Sequence, residues 1–224
     1  MPPRGSARIG WSSVPITRFT RLPDYPNKLA SQNEGDFMKQ KLAGKLLGLS
    51  LGAALAAYAL VAYATLKPGD QAPGFTTQAS LGGNVFDYSL ASALKKGPVV
   101  LYFYPAAFTK GCTIEAHEFA DAVDEYKAQG ATVIGVSHDN IDTLKKFSVS
   151  ECRSKFPVAA DADSKIIKKY DASMPLVNTM ANRVSYVIAP DGKVIYEYTS
   201  LSPDQHVANT LQALKDWNAK HKTQ

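Results

Sequence analysis

Six consecutive apolar residues, Val99-Val-Leu-Tyr-Phe-Tyr104, are stopped by Pro105 and followed by a helical pattern, and no other feature constrains the fold of this chain as strongly. The run is too short for a helix and rich in β-branched and aromatic residues, so it reads as a buried central strand. Ile114, Phe119, Val123 and Tyr126 then recur at near-helical spacing as far as Gly130, a suitable helix stop. Ala131 to Ser137 forms a second apolar run. Residues 99–137 therefore read as a β-loop-α-β unit, which requires parallel strands and a right-handed crossover.

The pattern after it continues in short pieces. Asp139 or Asn140 caps a helix carrying Leu144 and Phe147, Phe156–Ala160 is a short strand, and Asp163–Tyr170 a short helix. Val184–Ala189 and Lys193–Tyr198 flank Pro190-Asp191-Gly192, whose turn chemistry predicts an antiparallel hairpin. Pro203 opens a last helix through Val207, Leu211, Leu214 and Trp217. Residues 67–224 thus read as one α/β domain, a central mixed sheet with helices on both faces. Two cysteines in 224 residues exclude both a disulfide-dense scaffold and a four-cysteine zinc site. Cysteine chemistry, if used, is catalytic or redox.

The net charge of +5 invites a nucleic-acid reading, but its distribution removes it. Residues 1–66 carry eight bases against three acids, and the remainder carries 17 of each. A neutral domain lacks the excess that phosphate neutralisation requires, so no nucleic-acid partner is expected. Within the basic part, Leu46–Leu66 is 21 residues without a charge, preceded by Lys39, Lys41 and Lys45. Two readings fit: a signal peptide with a small-residue site ending Ala62-Tyr63-Ala64, or an uncleaved spanning helix. Either one keeps the basic flank cytoplasmic and exports everything after Lys67, to the periplasm or to its face of the inner membrane. Residues 1–37 show no period and read as a disordered tail or as a mis-assigned start, with Met38 opening the signal proper (residues 38–66).

The chemistry-bearing stretch is Pro105-Ala-Ala-Phe-Thr109-Lys-Gly-Cys112-Thr-Ile-Glu115. In an open α/β sheet, ligands bind beyond the carboxyl ends of the strands. Cys112 lies there, where a loop becomes a helix and unpaired N–H groups and the positive end of the macrodipole favour a thiolate. A free cysteine is more commonly an inert buried hydrophobe. Lys110, Gly111, Thr113 and Glu115 make this turn polar and argue for reactivity.

Pro105-x-x-x-Thr109-x-x-Cys112 resembles the PxxxTxxC signature of peroxiredoxins, and FYPAAFTKGCTIEA resembles the Q-type branch, also called bacterioferritin comigratory proteins. The likeness runs from about Lys67 to Trp217, through the KPGDQAPGF opening, the IGVS strand and Arg183-Val-Ser-Tyr-Val-Ile. It implies a thioredoxin-like fold and a peroxidase without cofactor or metal. Cys112 would be the peroxidatic nucleophile, passing through sulfenic acid. Thr109 would hydrogen-bond the thiolate and the peroxide, Pro105 would shield the sulfur, and Arg183 would bring a permanent cation to it. Without the resemblance, Arg183 reads as a surface charge.

Many Q-type relatives carry a resolving cysteine five residues after the nucleophile; here that position is His117. A second family arrangement places it on the helix after the next strand, where Cys152 stands, and this implies an intramolecular Cys112–Cys152 disulfide reduced by a thioredoxin-like dithiol. Both segments would have to unwind to bring the sulfurs together. Arg153 beside Cys152 would favour its thiolate. The alternatives are a one-cysteine peroxidase using an external thiol and a non-enzymatic envelope redox sensor. A thiol-disulfide oxidoreductase lacks its CxxC. His117, His138, His206 and His221 are scattered, without metal-ligand spacing. His117 reads as helix surface, and Glu115 as a first-turn acid that either suits the dipole or bridges to an arginine. A monomer is expected.

Overall fold

The computed structural model describes residues 65–221, so the leader readings fall outside the described residues. The chain enters through a hairpin, β1 (Thr76–Leu81) and β2 (Asn84–Ser89), turned by Gly82-Gly83 with φ of 55° and 82°. A short helix, α1 (Leu90–Leu94), follows, with the Ser89 side chain accepting from the Ser92 N–H. Then come β3 (Val99–Phe103), α2 (Lys110–Ala128) and β4 (Thr132–Ser137), the β-loop-α-β unit expected from the sequence, with β3 and β4 parallel from Val99↔Thr132 to Phe103↔Val136.

Helix α3 (Ile141–Ser150) is capped by Asn140 rather than Asp139, its side chain accepting from the Thr143 N–H at 2.9 Å. Next are β5 (Val158–Ala160), α4 (Lys165–Lys169) and a small hairpin, β6 (Ser173–Met174) with β7 (Val177–Ala181). The expected hairpin follows as β8 (Val184–Ile188) and β9 (Val194–Thr199), antiparallel, with Gly192 at φ 84° in its turn. The last helix, α5 (His206–His221), starts three residues after Pro203. Among the described residues no helix is long and apolar enough to cross a membrane.

The main sheet runs β2-β1-β5-β4-β3-β8-β9. It is mixed, with β3, β4 and β5 parallel in its centre and antiparallel strands outside. Strand β3 is buried on both sides, and its alternation divides the core. Val99, Leu101 and Phe103 pack with Leu90 and Leu94 of α1 and Ile166 and Ile167 of α4. Val100, Tyr102 and Tyr104 pack with Phe119 of α2, Leu144 and Phe147 of α3, and Leu211 and Leu214 of α5. Tyr102 stacks on Phe119 with centroids 4.3 Å apart, and Tyr126 ties α2 to α5 through a 2.7 Å bond to Thr210 Oγ1.

This topology builds the site. Helix α2 leaves the carboxyl end of β3, and β8 runs antiparallel to β3 with Val184 opposite Phe103. The residue before β8 is therefore delivered to the edge from which α2 departs. That residue is Arg183.

Candidate active site

Thr109 is the N-cap of α2, so Lys110, Gly111 and Cys112 are its first three helical residues, whose N–H groups have no helical acceptor. The turn is polar outside and apolar inside. Thr109 and Lys110 are exposed, whereas Cys112 is 1% exposed and sits at the edge of the core cluster of α2, α3 and α5. Polar neighbours thus did not keep the sulfur on the surface, because position 112 faces the sheet.

Arg183 is 4% exposed and reaches the sulfur. Its Nη2 donates to Cys112 Sγ at 3.5 Å, its Nη1 to Glu115 Oε2, and its Nε to the carbonyl of Leu201 at 3.0 Å. Gly111 makes room for this approach: a Cβ there would lie 3.0 Å from Nη2. The two residues, 71 apart in sequence, are brought together as the resemblance implied.

Glu115 is fully buried and lies six residues into α2, in its second turn. The first-turn reading is thereby corrected, because the cap is Thr109. The bridge to an arginine is present. Burial pushes the Glu115 carboxyl up to about 8, with Arg183 opposing the shift only in part. Its second oxygen, Oε1, has no hydrogen-bond partner. That oxygen faces His206 Nδ1 at 3.7 Å. His206, fully buried at the start of α5, has Nε2 at 2.9 Å from the Ser200 carbonyl and Nδ1 at 2.8 Å from Ser185 Oγ. Burial lowers its pKa to about 4.

The loop between β3 and α2 is pinned from β4. Asp139 accepts from the Ala107 N–H and from Ser137 Oγ, both at 2.7 Å. Phe108 takes a left-handed backbone, φ 63°, and sets its half-exposed ring edge-on against Phe147 of α3 at 5.2 Å. Thr109 Oγ1 donates to the Ala106 carbonyl at 3.0 Å, so its hydroxyl proton is engaged within the loop. Pro105 is half-buried at the start of that loop.

Cys152 lies just past α3, fully buried in the same cluster as Cys112, and both thiols are free. Burial and the adjacent Glu151 push its thiol well up. The expected help from Arg153 is not there: that guanidinium pairs with Asp121 of α2. Tyr102 and Tyr104 lie within electrostatic reach of both thiols. His117 is not plain helix surface, because its Nε2 meets Glu151 Oε2 at 2.9 Å and ties α2 to the end of α3. His138, after β4, has a buried Nδ1 without a partner.

Residues 68–197 match the model of the AhpC/TSA family. The chain belongs to that family, the peroxiredoxins. It is 36% identical over 152 residues to the chloroplastic peroxiredoxin Q of Triticum aestivum, covering 67% of this chain and 68% of the relative. Among solved structures it resembles the peroxidoxin BcpB of Mycobacterium tuberculosis, with TM-score 0.62 and 31% identity over 67% of this chain and 97% of that one. It also resembles a Xanthomonas campestris peroxiredoxin Q, with TM-score 0.57 and 26% identity over 63% and 90% of the two chains. The resemblance read from the sequence is borne out, as is the mixed-sheet fold of these neighbours. The peroxiredoxin is accordingly a thiol-dependent peroxidase, an oxidoreductase whose family takes peroxide as substrate and a thioredoxin-type reductant.

Proposed function

We propose that Cys112 is the peroxidatic nucleophile, that Cys152 resolves it within the same chain, and that a thioredoxin-like dithiol closes the cycle. The contact between Arg183 Nη2 and Cys112 Sγ at the start of α2 carries this reading. A guanidinium cannot deprotonate, so it offers the sulfur a fixed cation in a site nearly closed to water. Three helix N–H groups add partial positive charge. In the first step the Cys112 thiolate attacks the nearer peroxide oxygen. An S–O bond forms, the O–O bond breaks with its electron pair on the leaving oxygen, and that alkoxide or hydroxide takes a proton. Cys112 is left as sulfenic acid. In the second step the Cys152 thiolate attacks the sulfenic sulfur, the S–S bond forms and hydroxide leaves as water; the external dithiol then reduces the disulfide by exchange.

The distribution of donors gives Arg183 its role, holding the thiolate and the charge that develops on the departing oxygen. Pro105 and the pinned loop keep bulk water off the sulfur, and Thr109, with two acceptor lone pairs still open, orients the peroxide O–H. The buried, high-pKa Cys152 reacts only after its segment leaves the core, so local unwinding gates the second step. The uncharged run Leu46–Leu66 after Lys39, Lys41 and Lys45 supports export of this domain across the inner membrane, by signal or anchor. Fractionation that recovers the chain with the cytoplasm would refute export.

The test is a pair of variants. Cys112→Ser is expected to abolish peroxide consumption, and Cys152→Ser to accumulate a sulfenic acid on peroxide treatment. If the disulfide mass persists in Cys152→Ser, resolution by Cys152 is wrong.

A further inference from the structure

We propose that Glu115 and Cys112 hold one proton between them against the single guanidinium of Arg183, and that His206 keeps this proton on Glu115, leaving the thiolate as the cation's counter-charge. The inference builds on the reading of Cys112 as the reacting thiol and extends it to two positioning residues, Glu115 and His206.

The starting point is an imbalance of charge. Two acids, Cys112 and Glu115, bond to the same guanidinium, and all three side chains are almost wholly buried. Two anions on one cation would leave a net negative charge in a low-dielectric site, which is costly; one anion and one neutral acid leave none. If Glu115 were the anion it would compete with the sulfur for Arg183, and the thiol would stay protonated.

The second oxygen of Glu115 decides between the two. Oε1 is buried, receives no hydrogen bond, and faces His206 Nδ1. The protonation of that nitrogen follows from its neighbours. A carbonyl can only accept, so the 2.9 Å contact with Ser200 O puts the imidazole proton on Nε2. In the neutral ring Nδ1 is then an acceptor, and Ser185 Oγ donates to it at 2.8 Å. A carboxylate oxygen opposite an acceptor lone pair is poorly placed. A neutral carboxylic acid is well placed, because it sets no charge against that nitrogen and leaves no buried carboxylate oxygen without a donor. The alternative, a cationic His206 donating to a carboxylate, is opposed by full burial and by the nearby Arg183.

The other groups around Glu115 push the same way. On its own helix Glu118 adds negative charge, and from β3 the buried Tyr102 offers only a neutral phenol, so among the described residues Arg183 is the lone cation facing the carboxyl. Residues 200 and 201 fasten the assembly: Leu201 O holds Arg183 Nε while Ser200 O holds His206, and the Ser200 N–H bonds back to Arg183 O at 3.2 Å. Helix α5 thereby acts on Cys112 through Glu115 and Arg183 without touching the sulfur.

Two readouts on the full chain, in a Cys152→Ser background, test this without turnover. The first is the rate of Cys112 alkylation by iodoacetamide as a function of pH. Glu115→Gln copies the neutral acid, so its profile is expected to stay within twofold of the parent. His206→Gln replaces the acceptor with an amide that can donate to Oε1, lets Glu115 ionise and compete for Arg183, and is expected to lower the thiolate-dependent rate at pH 6 to 7 by about tenfold, the scale of one neighbouring charge. The Glu115→Gln, His206→Gln pair is expected to restore the rate; a purely structural role for His206 would leave the loss in place. The second readout is infrared: a protonated-carboxyl band at pH 7, absent in Glu115→Gln, needs only the Glu115 variant and does not depend on how His206→Gln folds. A tenfold rise in alkylation of Glu115→Gln, or no such band, overturns the inference. Failure of the Cys112 assignment would appear elsewhere, as peroxidase activity surviving in Cys112→Ser.

Discussion

Arg183 bonds at once to a carboxyl oxygen, the sulfur of Cys112 and a backbone carbonyl, through three different nitrogens. A planar fork can do this and a lysine ammonium on a flexible stem cannot. Arg183→Lys is therefore expected to fold but to lower kcat/KM for hydrogen peroxide at least about tenfold, equivalent to about 1.4 kcal/mol of transition-state stabilisation. An unchanged value would remove Arg183 from the mechanism. Gly111→Ala is a milder version, since the new methyl displaces Nη2 by a few tenths of an ångström. It is expected to slow peroxide consumption severalfold while leaving the midpoint of thermal unfolding within a few degrees, and normal activity would show that the guanidinium can retreat without consequence. At this scale the sequence was informative about what sits on one loop: Pro105, Thr109 and Cys112 are a contiguous signature. Arg183 was readable only through family resemblance. The bridge from Glu115 to an arginine was one of two readings open there, but its pairing with His206 was beyond reach, because an acid and a histidine 91 positions apart become neighbours only when β8 and α5 close over α2.

Among the elements, β3 and β4 show how tightly the site's platform is packed. Gly135 of β4 pairs with Tyr102, and a Cβ there would fall 2.7 Å from the tyrosine ring. Gly135→Ala is expected to cost about 1–3 kcal/mol in denaturant unfolding, the range for overpacking, and Tyr102→Leu in the same chain to relieve part of that cost. Simple additivity of the two would contradict a direct clash. The β-loop-α-β unit and the β8–β9 hairpin were legible because their strands are continuous apolar runs bounded by proline and glycine. The β1–β2 and β6–β7 hairpins were not, since β2 and β7 are mostly exposed, the buried residues of β1, Ala79 and Ser80, are adjacent rather than alternating, and β6 spans two residues. The segment after α3 carries its own expectation. Arg153 and Ser154 both have positive φ, 50° and 56°, while Glu151 pairs with His117 and Arg153 with Asp121. A strained turn is thus latched to α2 by a hydrogen bond and an ion pair beside Cys152. Asp121→Asn with Glu151→Gln is expected to speed Cys112–Cys152 disulfide formation severalfold in quenched-flow alkylation, with sulfenic acid formation unchanged. A slower or unaltered second step would mean the latch does not hold the closed form.

For the molecule as a whole, the buried polar cluster under α2 makes stability depend on pH. His206 has a folded pKa near 4 against an ordinary value of 6.5, so the unfolded chain takes up its proton first. The stability it contributes is present above pH 6.5 and is lost as pH falls toward 4. Glu115 runs the other way, with a folded value near 8 against 4.5, so its contribution is present below pH 4.5 and is lost as pH rises through 8. His206→Asn removes the first dependence, and the wild type is expected to lose about 3 kcal/mol more than this variant between pH 7 and pH 4, by linkage. Parallel pH profiles of the two proteins would show that His206 is not held neutral. The central claim concerns one sulfur, and it is tested most directly by adding one equivalent of hydrogen peroxide to the reduced chain and following both thiols by alkylation and intact mass. The expected result is rapid loss of both thiols in the wild type with a fall in mass of two hydrogens, gain of one oxygen on Cys112 in Cys152→Ser, and no reaction in Cys112→Ser. Peroxide consumption at the wild-type rate by Cys112→Ser would contradict it.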